Sequence, residues 1–248
     1  MTEKELENKT AFVTGGSRGI GEAIAVKLAE NGADVVITYV SSAEKAEEVV
    51  RKIESFGVKG LAIKADANDA ENVIDAVKEA AEKFGKIDIL VNNAGILKLN
   101  HVTACTLEDF DRMINVNVRA VFAATIEAVK TMPENGRIIT IGSGSGDQAL
   151  LPTASLYAMS KAAVKLLTKG WARDLGGKKI TVNIIQPGPV DTDMNPADGE
   201  FSEMFKGFTA LGRYGKSEEI AELTAFLASP RAGYITGAAI SIDGGFSA

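Results

Sequence analysis

Short runs of β-branched residues alternate with longer amphipathic stretches along almost the whole chain. Several of the short runs are apolar almost throughout, which is typical of strands that helices cover on both faces. Repeated β-α alternation predicts an α/β fold with a doubly wound parallel sheet and helices on both faces. Seven strands are predicted, at Thr10–Thr14, Asp34–Tyr39, Lys59–Lys64, Ile87–Val91, Gly136–Ile141, Ile180–Gln186 and Ala238–Ile242.

The amphipathic stretches predict helices, and glycines mark several of their ends because glycine accepts the left-handed conformation there. No linker-like segment, repeat or low-complexity tract divides the 248 residues, so a single domain is predicted. One segment, Asp191–Gly215, breaks the rhythm, and an irregular excursion of that length is typical of a functional lid. The predicted helices are Gly19–Asn31, Ala43–Phe56, Asp69–Phe84, Leu107–Met132, Ala154–Leu175 and Ser217–Ala228.

Charge and composition exclude several classes of function. The net charge is -6 and no long basic run is present, so a nucleic-acid polymer is not an expected partner. No apolar run approaches the roughly 18 residues that a membrane span needs, and Met1–Thr10 is unlike a signal peptide. The single cysteine, Cys105, fits a reducing compartment. A cytoplasmic protein with no membrane segment is expected, and no metal-ligand spacing is found.

A glycine-rich turn directly follows the first predicted strand and opens into a helix. It reads Thr14-Gly15-Gly16-Ser17-Arg18-Gly19-Ile20-Gly21. Glycines let the backbone turn tightly and approach a pyrophosphate, while a helix N-terminus supplies free N–H groups. This strand-turn-helix context favours a dinucleotide site over an ordinary glycine-rich loop. The predicted cofactor contacts in the turn are Gly15, Ser17, Arg18, Gly19, Ile20 and Gly21.

The end of the second predicted strand indicates which nicotinamide cofactor binds. NAD-binding folds commonly place an acidic residue there for the ribose 2′-hydroxyl, whereas this chain has Tyr39. Arg18 could pair with a 2′-phosphate, and Ser41 or Ser42 could donate hydrogen bonds to it. The plainer alternatives are a solvated arginine and a serine that caps the next helix. The joint pattern favours NADP(H).

Tyr157 and Lys161 stand four residues apart, which places both side chains on one face of a predicted helix. A phenol with its ordinary pKa of about 10 transfers protons poorly at neutral pH. A neighbouring ammonium group lowers that pKa, and this is the expected effect of Lys161 on Tyr157. Such pairs also arise by chance, but Ser143 follows a predicted strand and would point into the same crevice.

Taken in order, these motifs resemble the classical short-chain dehydrogenase/reductase family. The glycine turn has the spacing Thr-Gly-x-x-x-Gly-x-Gly, and Asn92-Asn93-Ala94-Gly95 and Pro187–Thr192 match further family motifs. The resemblance extends from Lys9 to Phe246 and implies a single-domain Rossmann fold. It is closest to the branch that contains 3-oxoacyl-carrier-protein-reductase-like carbonyl reductases and a bacterial cyclic-di-GMP-binding mediator of biofilm dispersal.

The resemblance implies a role for each catalytic candidate. Ser143 polarises a substrate carbonyl, Tyr157 protonates its oxygen, and Lys161 adjusts the tyrosine and holds the nicotinamide ribose. Asn117 is implied to hold a water in a proton relay to the lysine, with Asn115 as its rival. Ser143 and Tyr157 are separated by one residue more than is usual, and the extra residue is expected within 146–155. Further implied cofactor contacts are Asp66, Ala67, Asn92, Ala94, Gly95, Tyr157, Lys161, Pro187, Gly188, Val190 and Thr192.

The predicted function is NADPH-dependent reduction of a small ketone or aldehyde. A carrier-protein substrate would favour basic residues beside the pocket, whereas the predicted lid contains Asp191, Asp193, Asp198, Glu200 and Glu203. A 3-oxoacyl-carrier-protein reductase remains an alternative, and a cyclic-di-GMP-binding mediator is the alternative outside enzymes. The resemblance also implies a homotetramer.

Overall fold

A computed structural model describes residues 4–149 and 152–248 and contains a seven-stranded sheet in the order β3-β2-β1-β4-β5-β6-β7. Every neighbouring pair of strands is parallel. The predicted doubly wound Rossmann sheet is confirmed, and the predicted strand ends are displaced by at most two residues. The strands are β1 Thr10–Val13, β2 Asp34–Tyr39, β3 Gly60–Lys64, β4 Ile89–Asn92, β5 Arg137–Ile141, β6 Thr181–Pro187 and β7 Ala239–Ile242.

Helices pack on both faces of this sheet. Successive strand residues point to opposite faces, so Phe12 and Leu90 enter one buried cluster, while Val13 and Val91 enter the other. Helices α1, α2 and α8 cover one cluster, and α3, α5 and α6 cover the other. The helices are α1 Gly19–Glu30, α2 Ala43–Glu54, α3 Ala70–Phe84, α4 Leu107–Ile114, α5 Ala120–Thr131, α6 Ser155–Leu175, α7 Ser202–Phe208 and α8 Ser217–Ala228.

The prediction of one regular helix over Leu107–Met132 is wrong in one respect. A five-residue π-helical turn, Asn115–Arg119, separates α4 from α5 without interrupting the helical backbone. Asn117 lies in this turn and is buried, and its amide group bonds to groups on other elements. π-helical turns of this kind are frequent at functional sites.

The predicted lid, residues 191–215, is a loop whose two ends are tied together. Asp191 N donates to the Gly215 carbonyl at 3.0 Å, and Gly215 N donates to the Pro189 carbonyl at 2.9 Å. The loop is less irregular than the sequence predicts, because it contains the short helix α7. Phe208 of this helix packs edge-on against Phe246, with ring centroids 6.3 Å apart.

Within residues 4–149 and 152–248, no helix combines the length and apolar character of a membrane span. Nor do these residues include three or more His, Cys, Asp or Glu side chains grouped to bind a metal ion.

Candidate active site

A cavity of about 690 Å³ opens at the carboxyl ends of the central strands. The strand order reverses between β1 and β4, and ligands of doubly wound sheets bind at such a switch point. Of the predicted site residues, only Asn117 does not line the cavity. Those that do are Gly15, Ser17, Arg18, Gly19, Ile20, Gly21, Tyr39, Ser41, Ser42, Asp66, Ala67, Asn92, Ala94, Gly95, Ser143, Tyr157, Lys161, Pro187, Gly188, Val190 and Thr192.

The glycine turn at the end of β1 is braced by the segment that follows β4. The Thr14 hydroxyl accepts hydrogen bonds from Asn93 N at 2.9 Å and Ala94 N at 3.0 Å. In return, the Asn93 amide donates to the carbonyls of Thr14 and Gly15. The sequence predicts the neighbours of Asn93 as site residues but not Asn93 itself, although Asn93 stands inside the motif Asn92-Asn93-Ala94-Gly95. Its bonds fix the shape of the turn.

Two glycines in the turn have backbone conformations that other residues rarely adopt. Gly15 and Gly19 have φ values of +66° and +56°, in the left-handed region. Gly21, in the first turn of α1, has an ordinary φ but stands against the Gly15 carbonyl and the Asn93 amide. An added Cβ at Gly21 would overlap these atoms, so the close approach of helix and turn depends on its missing side chain.

We expect Gly21→Ala to lower the free energy of unfolding by about 2 kcal/mol, because overpacking of a closed site typically costs about 1–3 kcal/mol. Gly170→Ala is the matched control, since an added Cβ there meets no atom within 4 Å. That control should raise the stability by about 0.5–1 kcal/mol, the difference between glycine and alanine in a helix. Urea unfolding measures both. An unchanged midpoint for Gly21→Ala would contradict the packing described here.

The glycine turn and its surroundings fit the NADP(H) that the sequence predicts. Helix α1 begins at Gly19 without a side-chain cap, so its first N–H groups remain available to an anion. Arg18 precedes the helix, and Ser41 and Ser42 line the cavity nearby. Tyr39 ends β2 where a carboxylate would otherwise repel a phosphate. The site therefore has the donors and the cation that a pyrophosphate and a 2′-phosphate need.

Ser143, Tyr157 and Lys161 also meet on the wall of this cavity. Ser143 is the second residue after the end of β5, and Tyr157 and Lys161 face it from α6. The Lys161 ammonium is buried, donates to the Ile141 carbonyl at 3.0 Å, and lies 5.7 Å from the centre of the Tyr157 ring. One ammonium and two hydroxyl groups are thereby placed around one point of the cavity wall.

Burial is the largest influence on the pKa values of Tyr157 and Lys161. It lowers the pKa of Lys161 to about 8. It also raises the pKa of Tyr157 above its usual value, and a hydrogen bond with Ser143 opposes this only in part. The net shift of the Tyr157 pKa is therefore opposite to the one that the sequence predicts. The physical reason is that removal from water disfavours the phenolate more than its neighbours stabilise it.

Asn117 lies directly behind this group. Its side-chain oxygen accepts a hydrogen bond from Ile96 N at 2.9 Å, and its amide donates to the Ile96 carbonyl and to the Ser160 hydroxyl, each at 3.0 Å. Ser160 in turn donates to the Tyr157 carbonyl at 2.7 Å. Asn117 thus joins the segment after β4 to α6. Ser160, which sequence reasoning passed over between Tyr157 and Lys161, completes the connection.

The described part of the loop between Ser143 and Tyr157 packs against neighbouring segments. Gly146 packs against the backbone of Lys161, and Thr153 has a φ of +71°. The Thr153 carbonyl accepts a hydrogen bond from Asn100 N at 2.9 Å. Leu150 and Leu151, in the segment 146–155 where the extra residue is expected, lie outside the described residues. Ser145 also lines the cavity.

Comparison with known proteins agrees with this geometry. A family model described as enoyl-(acyl carrier protein) reductase matches residues 15–247. The cyclic-di-GMP-binding biofilm dispersal mediator protein of Escherichia coli is 41% identical over 240 residues, which cover 97% of this chain and 98% of that protein.

Solved structures match as well. A short-chain dehydrogenase/reductase from Serratia marcescens is 55% identical with a TM-score of 0.97, covering 98% of this chain and 100% of its own. A short-chain dehydrogenase from Burkholderia cenocepacia, solved in complex with NADP, is 49% identical with the same TM-score and the same coverage. Given a matching fold, site geometry and full-length relatives, the chain belongs to the short-chain dehydrogenase/reductase family.

Proposed function

We propose that the protein is an NADP(H)-dependent reductase that converts the carbonyl of a small ketone or aldehyde to an alcohol. The observation that carries the proposal is that Ser143, Tyr157 and Lys161 meet on the wall of the cavity that the glycine turn also lines. A nucleotide bound along this cavity would bring its reactive end towards the two hydroxyl groups. Relatives solved with NADP support the choice of cofactor.

The chain's own residues divide the binding of this cofactor between them. The N-terminus of α1 receives the pyrophosphate, and Arg18 with Ser41 and Ser42 receives the 2′-phosphate. Asp66 and Ala67 would hold the adenine, and Pro187–Thr192 would hold the nicotinamide, since both segments line the cavity. When bound, the cofactor supplies the hydride.

Proton transfer follows from the protonation states of the site. Because the pKa of Tyr157 is raised, its phenol holds its proton at neutral pH and can donate it to an oxygen that gains negative charge. Ser143 donates a hydrogen bond to the same oxygen and stabilises the developing charge. Lys161 is cationic below about pH 8 and stabilises the phenolate that remains. Two donors converging on one oxygen suit a carbonyl better than a carbon–carbon double bond.

The cavity wall favours an uncharged substrate. Apolar side chains of Leu97, Leu99, Met194, Phe205 and Phe246 line it. A dinucleotide would occupy much of the cavity volume, which leaves room for a small compound.

The acidic charge of the lid supports a small substrate less strongly than the sequence suggests. The carboxylate of Asp193 contacts Arg18 and Lys45, and that of Glu203 contacts Lys206. Part of the acidic charge is therefore neutralised within the protein and would not repel a carrier protein. The preference for a small substrate rests on the cavity.

A second candidate is a protein that binds cyclic-di-GMP. The 41% identity to the Escherichia coli mediator favours it. The cavity, with its uncapped helix N-terminus and Arg18, could also accept the phosphates of such a messenger. A binding protein has no need of the buried Lys161 beside Tyr157, which is why we place this function second.

A substrate screen separates these functions. The change in NADPH absorbance is followed with small ketones, small aldehydes, a 3-oxoacyl thioester and an enoyl thioester, and calorimetry is run with NADPH and cyclic-di-GMP. We expect turnover of ketones or aldehydes and binding of NADPH. Turnover of the 3-oxoacyl thioester alone would support the carrier-protein alternative. Binding of cyclic-di-GMP without turnover of any carbonyl would overturn the proposed enzyme.

The pH dependence of the reaction follows from Lys161. We expect kcat/KM for carbonyl reduction to be level below about pH 8 and to fall above it, because the ammonium loses its proton there. Alcohol oxidation requires the opposite protonation state of Tyr157 and should rise with pH. A reduction profile that stays level to about pH 10 would contradict a role for the Lys161 charge.

We further infer a homotetramer. The apolar side chains of Leu107, Phe110, Phe122 and Leu166 on α4, α5 and α6 are exposed. Large exposed apolar residues of this kind support an interface along these helices. Light scattering measures the mass in solution.

A further inference from the structure

The first residues of the lid cross the glycine turn. An added Cβ on Gly19 would lie 3.4 Å from the Thr192 methyl carbon, so the two segments are in near contact. Asp193 follows Thr192 and lines the same cavity as Arg18 and Ser41. The lid therefore lies against the end of the cavity where the glycine turn meets the end of β2.

The Asp193 carboxylate is held between two cations at this place. One of its oxygens lies 3.6 Å from an Arg18 guanidinium nitrogen and 3.5 Å from Lys45 Nζ. All three side chains are more than half exposed, so the contacts are weak ones. Among residues 4–149 and 152–248, Arg18 and Lys45 have no second carboxylate within 4.0 Å. The cluster thus has two positive charges and one negative charge.

The position of the two cations matches the part of a dinucleotide that distinguishes NADP from NAD. Arg18 belongs to the glycine turn, and Lys45 lies in the first turn of α2, just after Ser41 and Ser42. The ribose of a bound dinucleotide lies at the end of β2 in this fold. A 2′-phosphate with nearly two negative charges would match the two cations better than the single carboxylate does.

On the basis of the proposed NADP(H) dependence, we propose that Lys45 joins Arg18, Ser41 and Ser42 in the 2′-phosphate site and that Asp193 occupies this site as an internal competitor. The phosphate displaces the carboxylate when NADP(H) binds, whereas NAD(H) leaves the contacts of Asp193 intact. Asp193 therefore weakens the binding of the phosphorylated cofactor, whereas Lys45 strengthens it. The contact between Asp193 of the lid and Arg18 of the glycine turn is thereby broken when the 2′-phosphate binds.

Two nucleotide fragments test this without any turnover. Adenosine 2′,5′-bisphosphate contains the 2′-phosphate, and 5′-AMP lacks it. We expect Asp193→Asn to bind the bisphosphate about two- to fivefold more tightly, because an exposed ion pair is worth at most about that factor. We expect Lys45→Gln to bind it about five- to tenfold more weakly, since a charge-assisted contact is lost. Neither variant should change the affinity for 5′-AMP.

Matched controls remove the same charges elsewhere. Asp198→Asn changes an exposed acid of the lid outside the cluster, and Lys52→Gln changes a lysine of α2 that contacts Glu22 instead. Both should bind the two fragments as the wild-type protein does. In the Lys45→Gln background, Asp193→Asn should have a smaller effect, because only Arg18 remains to be released.

The outcomes separate this inference from the proposed function. If the wild-type protein binds NADPH and the bisphosphate, but Asp193→Asn and Lys45→Gln behave like the controls, the internal competitor is refuted and the reductase proposal stands. An equal change for both fragments would also refute it, because the effect would not concern the 2′-phosphate. If the wild-type protein binds neither NADPH nor the bisphosphate, the proposed function itself fails.

Discussion

Tyr157→Phe is expected to lower kcat for carbonyl reduction about 1000-fold or more while the affinity for NADPH changes less than about twofold. General acid catalysis contributes about 100- to 10,000-fold, and the phenol is the acid placed beside Ser143 and Lys161. Phenylalanine removes one oxygen atom and keeps the ring, so the shape of the cavity is preserved. Initial rates from NADPH absorbance and a fluorescence titration measure the two quantities.

The control for this change is Tyr234→Phe. Tyr234 is fully exposed, and loss of its hydroxyl should alter neither quantity. A Tyr157→Phe protein that keeps a tenth of the wild-type rate would contradict the assignment. The proton would then come from another hydroxyl, and both Ser143 and Ser145 line the cavity.

Lys161→Met is expected to lower the rate more than about 100-fold and, at the same time, to make the protein more stable near pH 7. The ammonium is buried, and it donates a hydrogen bond to the Ile141 carbonyl. Its pKa is about 8, against an ordinary value of 10.5. At about 1.4 kcal/mol for each pH unit, the buried charge lowers the stability by about 3 kcal/mol below pH 8. Loss of the hydrogen bond offsets about 1–2 kcal/mol of the gain.

The pH dependence of stability distinguishes this explanation from simple repacking. Between about pH 8 and 10.5 the unfolded chain binds more protons than the folded protein, so the stability of the wild type rises with pH. The advantage of Lys161→Met should therefore be largest below pH 8 and shrink as the pH rises to 10.5. Urea unfolding across this range measures it, with the exposed Lys169→Met as control. A constant difference at all pH values would show that the charge is not responsible.

Much of the fold could be predicted because its signals are local. The strands are buried on both faces and therefore read as predominantly apolar runs, as in Ile89–Asn92 and Arg137–Ile141. The glycine turn could be located because a strand ends directly before it and a helix begins within it. The carboxyl ends of parallel strands lie at one edge, so the motifs that follow them were expected to meet.

The parts that could not be predicted depend on contacts between distant segments. Asp193 reaches Arg18 and Lys45 only because the lid folds back over the glycine turn. Ser160 contributes only because the π-helical turn presents Asn117 to it. The pKa of Tyr157 was predicted in the wrong direction because a four-residue spacing reveals the neighbouring ammonium but not the depth of burial.

The π-helical turn at Asn115–Arg119 also sets the angle between the two helices that it joins. Residues of an α-helix advance about 100° each around the axis, so loss of one residue there would rotate α4 by about that angle relative to α5. The buried face of Met113 would then turn away from the core, and Asn117 would leave Ile96. A residue can be exchanged in this segment more safely than it can be inserted or deleted. The positions of Met113 and Asn117 therefore depend on the number of residues in the turn.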